Sequence, residues 1–472
     1  MQVSFDTRTT AQTGSSSSAA NLFGISLIAA LAGFIFGFDT VVISGANLPI
    51  KELWHTTPWF HGFFIMSMAL WGTVAGALLG GWPTQKYGRK KVLLWIGIFF
   101  SISALGSALA NDPYVFSFFR FIGGLGIGVS SVAAPTYVSE ISTPSTRGRL
   151  VAMYQFNIVF GILVAFLSNY FLQGVGGNND WRWMLGVMAI PSLIYTLMVL
   201  SIPESPRWLV AVKRDTNTAR NVMARLGMNN IDEEIALITA SVQHESGGTN
   251  ADRNSRRFFS RKYSAILWLA FMVAFFNQWS GINFILYYAP EILSRAGLAA
   301  RESLFNSIAI GGTNLLFTFL GLYLIDRLGR KTLLIIGSVG YIVSLAMVAW
   351  CFYAQASAGM LMVFLLLFIA AHAIGQGAVI WVFISEIFPN KVRAMGQSFG
   401  ASVHWVFAAL ITLITPVFLD EKDGIFKDNP WPIFAFFAFM MALQLIWVLS
   451  KVPETKGVSL EELERKLVKE GQ

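Results

Sequence analysis

A chain of 472 residues that is 55% hydrophobic and 13% charged, with a mean hydropathy of +0.58, is not a soluble globular protein. Its net charge of +8 is spread between apolar stretches, which excludes a nucleic-acid-binding reading. Cys351 is the single cysteine, so a disulfide framework and a cysteine-based metal site are excluded too.

Residues 1–20, rich in Ser, Thr and Ala, read as a disordered tail without the basic start of a cleavable signal. Spanning hydrocarbon takes about 20 apolar residues. Such stretches follow at 21–46, 62–84, 90–110, 114–138, 149–173 and 182–202. After a polar interval they resume at 263–294, 303–326, 331–354, 360–388, 392–418 and 431–451. The pattern predicts an all-α integral membrane protein of twelve spans, divided into six-helix halves at 21–202 and 263–452. The interval 203–262 carries ten Lys/Arg against seven Asp/Glu. It reads as a linker whose segments Asn217–Leu226 and Ile231–Val242 have helical periodicity. The final stretch, 453–472, opens a charged surface helix with the capping pattern Ser459-Leu-Glu-Glu462.

Lys86, Arg89, Lys90 and Lys91 fall between spans 2 and 3, Arg327, Arg330 and Lys331 between 8 and 9, and Lys391 and Arg393 between 10 and 11. The connections on the other side are poor in basic residues, so the basic side is expected to face the cytoplasm of a cell-membrane protein, with both termini there. Gly33 with Gly37, and Gly72 with Gly76 and Gly80, lie one turn apart, where small residues let helices approach closely in lipid. The run Gly123-Gly-Leu-Gly126-Ile-Gly128 has neither a preceding strand nor a following Lys-Ser/Thr, so it reads as packing and not as a phosphate loop.

Three motifs occur twice. Gly81–Lys90 returns as Gly321–Lys331, Ser139-Glu140-Ile141 as Ser385-Glu386-Ile387, and Pro203-Glu204-Ser205 as Pro453-Glu454-Thr455. The nearly constant spacing, in order across apolar segments, says that one six-helix unit has been duplicated. Two such units facing each other suit a protein that moves a solute across a membrane.

With Pro203-Glu-Ser-Pro-Arg207, Arg147-Gly-Arg149, Gln278-Trp-Ser-Gly281-Ile-Asn283, Tyr287-Tyr288 and Pro453-Glu-Thr-Lys-Gly457, the chain resembles the sugar porter family of the major facilitator superfamily over nearly its whole length. The resemblance implies a carrier for a monosaccharide, hexose or pentose, working by alternating access as a monomer in the lipid bilayer, with no cofactor, no metal and no enzymatic activity.

Asp39 lies deep in the first span, where an ionisable side chain is costly and marks function by default. The resemblance gives it the role of proton carrier, with Arg120 of span 4 modulating it. The alternative is a permanent Asp39–Arg120 ion pair that only stiffens the first half. Met188 falls where some relatives carry a second acid, so any relay should be short.

A pyranose offers hydroxyls around its ring and apolar C–H faces above and below, which amides and aromatic rings respectively satisfy. By the resemblance, the sugar contacts are Phe36, Gln155, Gln278, Asn283, Tyr287, Asn314, Trp381 and Trp405. Asn277, His372 and His404 occupy contact positions with residue types that depart from the family. For the amides the alternative is a helix–helix hydrogen bond, contributing about 0.6 kcal/mol in lipid.

Arg89, Glu140, Arg147, Glu204, Asp326, Arg330, Glu386, Arg393 and Glu454 read as a cytoplasmic gate whose ion pairs latch the two halves when the cavity opens outward and part when it opens inward. Gln85 replaces the acid that the second copy keeps as Asp326, so the first latch should be weaker. The function expected is sugar:proton symport. A uniporter of the same fold and a non-transporting sugar sensor are the alternatives, and a sensor would be expected to carry a long signalling extension, whereas only 457–472 follows Lys456.

Overall fold

The computed structural model describes residues 14–142, 146–228, 230–246, 258–389, 392–458 and 460–467. Residues 1–13 of the expected tail, Ser459 of the expected capping pattern and the side chain of Arg147 lie outside the described residues.

In hydrocarbon a backbone can satisfy its N–H and C=O groups only within its own segment, so each apolar stretch becomes a helix. The spans are α1 (Gly14–Trp54), α2 (Pro58–Met66 with Met68–Leu79), α3 (Arg89–Leu109), α4 (Pro113–Ile141), α5 (Arg147–Leu172) and α6 (Gly177–Ser201). The second set is α7 (Arg261–Arg295), α8 (Ala300–Leu328), α9 (Arg330–Tyr353), α10 (Ala358–Ile387), α11 (Arg393–Leu419) and α12 (Trp431–Lys451). Among the described residues 11 helices qualify as crossing a membrane, and the bent α2 pair makes 12. Short helices at Thr216–Arg225 and Ile231–Ser246 occupy the interval between the halves, and another follows α12 at Leu460–Leu467.

Two features differ from the expected spans. Residues 14–20, expected as tail, are the first turns of α1, which also runs past 46 and through Pro49 to Trp54. Polar residues suggested an end near 46, but Asn47 and Lys51 find buried partners, so the helix continues. Several spans are also broken. α2 bends by 43° at Ser67. α7 breaks between Trp279 and Ile282, where Gly281 holds a φ of +86°, and is non-helical again at Tyr288, just ahead of Pro290. α10 breaks at Gly375.

The duplication appears as repeated packing. α1 lies on α5, α2 on α4, and α3 on α4 and α6. In the second half α7 lies on α11, α8 on α10, and α9 on α10 and α12. The halves meet where α5 faces α8, α2 faces α11, and the second part of α7 faces α1. The glycine rows lie at helix contacts: a Cβ on Gly33 would sit 2.6 Å from the Tyr154 carbonyl oxygen of α5, and one on Gly76 2.5 Å from the Leu125 carbonyl oxygen of α4.

Candidate functional site: a central cavity, a buried ion pair and two helix-end clusters

Between the halves lies a cavity lined by Phe36, Gln155, Asn277, Gln278, Asn283, Asn314, His372, Trp381, His404 and Trp405. The breaks in α7 and α10 put the amides and Trp381 at this depth without a continuous helical face. Asn283 Nδ2 donates to Gln278 Oε1 at 2.8 Å, and Gln278 Nε2 donates to Asn277 Oδ1 at 2.9 Å. Gln278 Nε2 also lies 3.2 Å from His404 Nε2. The three amides of α7 therefore form one chain, an arrangement that fixes which lone pairs and N–H groups are left for a ligand.

The aromatic walls form a second layer. The Phe36 and Trp405 rings stand 5.6 Å apart, and His404 lies 5.0 Å from Trp381 and 4.8 Å from Trp405. His372 lines the cavity, but its Nδ1 is tied to the Tyr341 hydroxyl at 2.7 Å. Tyr287 does not line the cavity: it is fully buried. Thr40 and Thr318 do line it and were missed in the sequence. The signal was available, because each lies one turn beyond a chosen residue, Phe36 and Asn314, on the same helix face.

Asp39 and Arg120 lie outside the cavity, in the interior of the first half. Both are buried, at 0% and 2% exposure, and Arg120 NH1 meets Asp39 Oδ1 at 2.5 Å while NH2 donates to the Asp39 carbonyl at 3.2 Å. The pair is thus formed in this conformation. Asp39 follows Phe36 by three residues and precedes Thr40, so one turn of α1 carries both the carboxylate and part of the cavity wall.

At the end of the bundle that carries the basic residues, the duplicated motifs build two matching clusters. Arg89 grips Glu140 with both Nε (2.9 Å) and NH2 (2.8 Å), and Arg330 grips Glu386 likewise at 3.1 and 2.8 Å. Glu204 accepts from the backbone N–H groups of Arg89, Lys90 and Ser205, and Glu454 from those of Arg330, Lys331, Thr455 and Lys456. Each Glu thereby caps the N-terminus of α3 or α9, where orphan donors and the helix dipole favour an anion. Gly88 and Gly329, at φ +96° and +91°, make the turns, and a side chain at either would run into the capping carboxylate. Burial raises the Glu204 carboxyl above its ordinary range despite those N–H donors. Burial pushes Glu454 the same way, but its four backbone donors prevail and hold it below.

In this conformation, and among the described residues, these ion pairs do not join one half to the other. Arg89–Glu140–Glu204 lies wholly within the first half, and Arg330–Glu386–Glu454 within the second. The motifs named the residues but not their partners, and the duplication itself places each set inside its own unit. Arg393 donates to its neighbour's carbonyl at Phe388 (3.3 Å), not to Glu386. Gln85 does not weaken its cluster. Its counterpart Asp326 is 80% exposed and meets Arg330 only at 3.3 Å, while the main Arg–Glu contact is 2.8 Å in both halves. Gln85→Asp should therefore change thermal stability by no more than about 0.5 kcal/mol, read as a melting shift of the purified protein.

Among the described residues, the hydrogen bond and ion pair between side chains of the two halves lie at the opposite end, and sequence reasoning missed them. Asn47 of α1 donates to Glu291 of α7 at 2.6 Å, and its oxygen meets His61 Nε2 of α2 at 2.7 Å. The other ring nitrogen of His61 meets Thr56 at 2.8 Å. Lys51 of α1 forms an ion pair with Asp420, which follows α11. Asn47, His61, Glu291 and Asp420 are all at or below 5% exposure. A side chain on Gly62 would overlap the Leu413 carbonyl of α11, so α2 and α11 touch backbone to backbone. Lys51 and Glu291 are ionisable groups inside apolar helices, the same signal that singled out Asp39.

The family model described as "Sugar (and other) transporter" matches residues 25–467. The arabinose-proton symporter of Bacillus subtilis is 34% identical over 94% of this chain and 95% of its own length. The galactose-proton symporter of Escherichia coli is 34% identical over 96% of both chains. The partially occluded inward-open structure of the E. coli xylose transporter XylE superposes with a TM-score of 0.81 over 93% of this chain and 100% of that one, at 29% identity. A family match of this extent, on twelve spans built from two repeated units around a polar central cavity, places the chain among the sugar porters of the major facilitator superfamily.

Proposed function

We propose that the chain imports a monosaccharide, hexose or pentose, together with a proton by alternating access. The observation that carries this reading is the position of Asp39: one helical turn of α1 presents Phe36 and Thr40 to the cavity and the carboxylate to Arg120. A sugar that draws on Phe36 and Thr40 moves the helix that holds the proton site, and protonation of Asp39 removes the charge that binds α1 to α4. The curated relatives named as arabinose- and galactose-proton symporters support the same assignment.

In this reading Gln155, Asn277, Gln278, Asn283, Asn314 and His404 hold the hydroxyls, and Trp381, Trp405 and Phe36 cover the C–H faces. The two Arg–Glu–Glu clusters act as rigid corners of each half, and His372 and Tyr287 support the wall instead of touching sugar. The basic end faces the cytoplasm, with both termini there, and the protein works as a monomer in the bilayer, its halves 21–202 and 263–452 rocking about the cavity. The closed opposite end and the likeness to an inward-open relative agree with a state facing the cytoplasm.

Gln278→Ala removes the middle of the amide chain and leaves Asn277 and Asn283 each without a partner, which costs about 1–3 kcal/mol. The sugar concentration giving half-maximal exchange should rise about 10- to 100-fold, with the maximal exchange rate falling less. Uptake into proteoliposomes under an imposed pH gradient, competed by arabinose, xylose, galactose and glucose, tests the function as a whole. A gradient-independent rate would favour the uniporter, and absence of uptake of every sugar would refute sugar transport.

A further inference from the structure

The cavity and the proton site are separate places in this fold, which raises the question of how a proton reaches Asp39. We infer that it travels inside the first half, along the hydroxyls of Ser103 and Ser107 of α3, and not through the sugar cavity. This rests on the symport reading above.

Asp39 is fully buried and does not line the cavity. Arg120 occupies its Oδ1, whereas Oδ2 has no partner, and Arg120 Nε has none either. Across from Oδ2 stands Gly123 of α4. A Cβ placed there would overlap Ser103 Oγ and sit 3.6 Å from Asp39 Oδ2, so the Ser103 hydroxyl packs into the place of the missing side chain, on the side of the carboxylate.

Ser103 is 0% exposed and Ser107, one turn further along the same face of α3, is 1% exposed, and neither hydroxyl has a partner. Ser44 of α1, beyond Asp39 in the same direction, is a third unpartnered hydroxyl. This is unusual within the protein itself. Buried helix serines ordinarily bond back to a carbonyl one turn earlier, as Ser101 does to Gly97 at 2.9 Å and Ser192 to Met188 at 2.8 Å.

The duplicated half supplies an internal control. By the spacing of the repeated motifs, Ser103 corresponds to Ser344, Arg120 to Leu366 and Gly123 to Ile369. There Ser344 bonds to the Gly340 carbonyl at 2.7 Å, and a buried isoleucine takes the glycine's place. The glycine and the unpaired serine hydroxyl beside it do not recur at the matching positions of the second half. Within the same half as the acid, Trp54, Phe116 and Trp181 form an aromatic cluster, with rings 5.5 to 6.3 Å apart.

The step is a relay of proton hops from the aqueous phase. Each oxygen accepts one proton and releases another, and the last transfer neutralises Asp39 at Oδ2. No bond other than O–H is made or broken.

Valine and threonine have nearly the same shape and differ by the hydroxyl, so they separate a relay from a packing role. The full-length protein with Ser103→Val and Ser107→Val, and the same pair changed to Thr, are reconstituted and assayed with labelled arabinose, xylose and galactose. The valine pair should slow pH-gradient-driven uptake at least about tenfold while sugar counterflow without a gradient stays within about twofold, and the threonine pair should match the unsubstituted protein. Three results would overturn the inference: unchanged gradient-driven uptake in the valine pair, equal loss of uptake and counterflow in it, or an equally slow threonine pair. The unsubstituted protein is read first. If sugar moves in it without protons, the symport reading fails independently of the serines.

Discussion

Asp39→Asn should abolish accumulation of sugar against its gradient while exchange of labelled for unlabelled sugar persists. One pH unit corresponds to 1.36 kcal/mol, so one-to-one coupling supports about a tenfold inside-to-outside ratio. In the variant that ratio should settle near one. Asn can still accept a hydrogen bond from Arg120, but it leaves the guanidinium buried at 2% exposure without a counter-charge. Breaking a buried pair in this way costs about 3–5 kcal/mol, so a lower melting temperature is expected alongside the transport defect. Arg120→Ala leaves Asp39 a buried acid without its guanidinium partner, and net coupled uptake should fall even though sugar still binds.

The second large effect concerns the closed end. Lys51→Ala strands Asp420, which is 1% exposed, and should weaken closure by about 3–5 kcal/mol. At about 1.4 kcal/mol per tenfold, the population open at that end should rise by about a hundredfold or more. The readout is a cysteine at Leu286, which lines the cavity on α7, labelled by a membrane-impermeant maleimide in a Cys351→Ser background. Labelling from that face should accelerate strongly in Lys51→Ala and in Asp420→Ala. The exchanged pair, Lys51→Asp with Asp420→Lys, should restore the slow rate. Equal labelling in all four proteins would show that the ion pair does not hold the end closed. Glu291→Gln, which keeps the hydrogen bond to Asn47, should have a much smaller effect than Glu291→Ala.

The sequence revealed the twelve spans because apolar length is a local property, and it revealed the duplication because Gly88, Glu140 and Glu204 recur in order. It also named most of the polar and aromatic part of the cavity wall, since amides such as Gln155 and Asn314 are scarce in apolar helices. What it could not reveal was pairing. Arg89 and Glu140 are 51 residues apart and within one half, while Asn47 and Glu291 are 244 apart and across halves, and no local pattern separates the two cases. Tyr287 shows the same limit from another side. Its place in a motif suggested a sugar contact, but Tyr287 is fully buried beside a non-helical residue, Tyr288, and does not line the cavity. Ser103 was illegible for a further reason: a serine in a helix is ordinary until the structure shows that its hydroxyl faces an acid across a glycine.

The account depends on coupling between sugar occupancy and the charge state of Asp39, and proton movement driven by sugar tests it most directly. Sugar is added to a weakly buffered suspension of vesicles carrying the protein, with no pH gradient and with the membrane potential clamped, and external pH is recorded. The external medium should turn alkaline as sugar enters, with about one proton taken up per sugar, and the Asp39→Asn protein should give no pH change at the same rate of sugar equilibration. Sugar entry without alkalinisation in the unsubstituted protein would contradict the account.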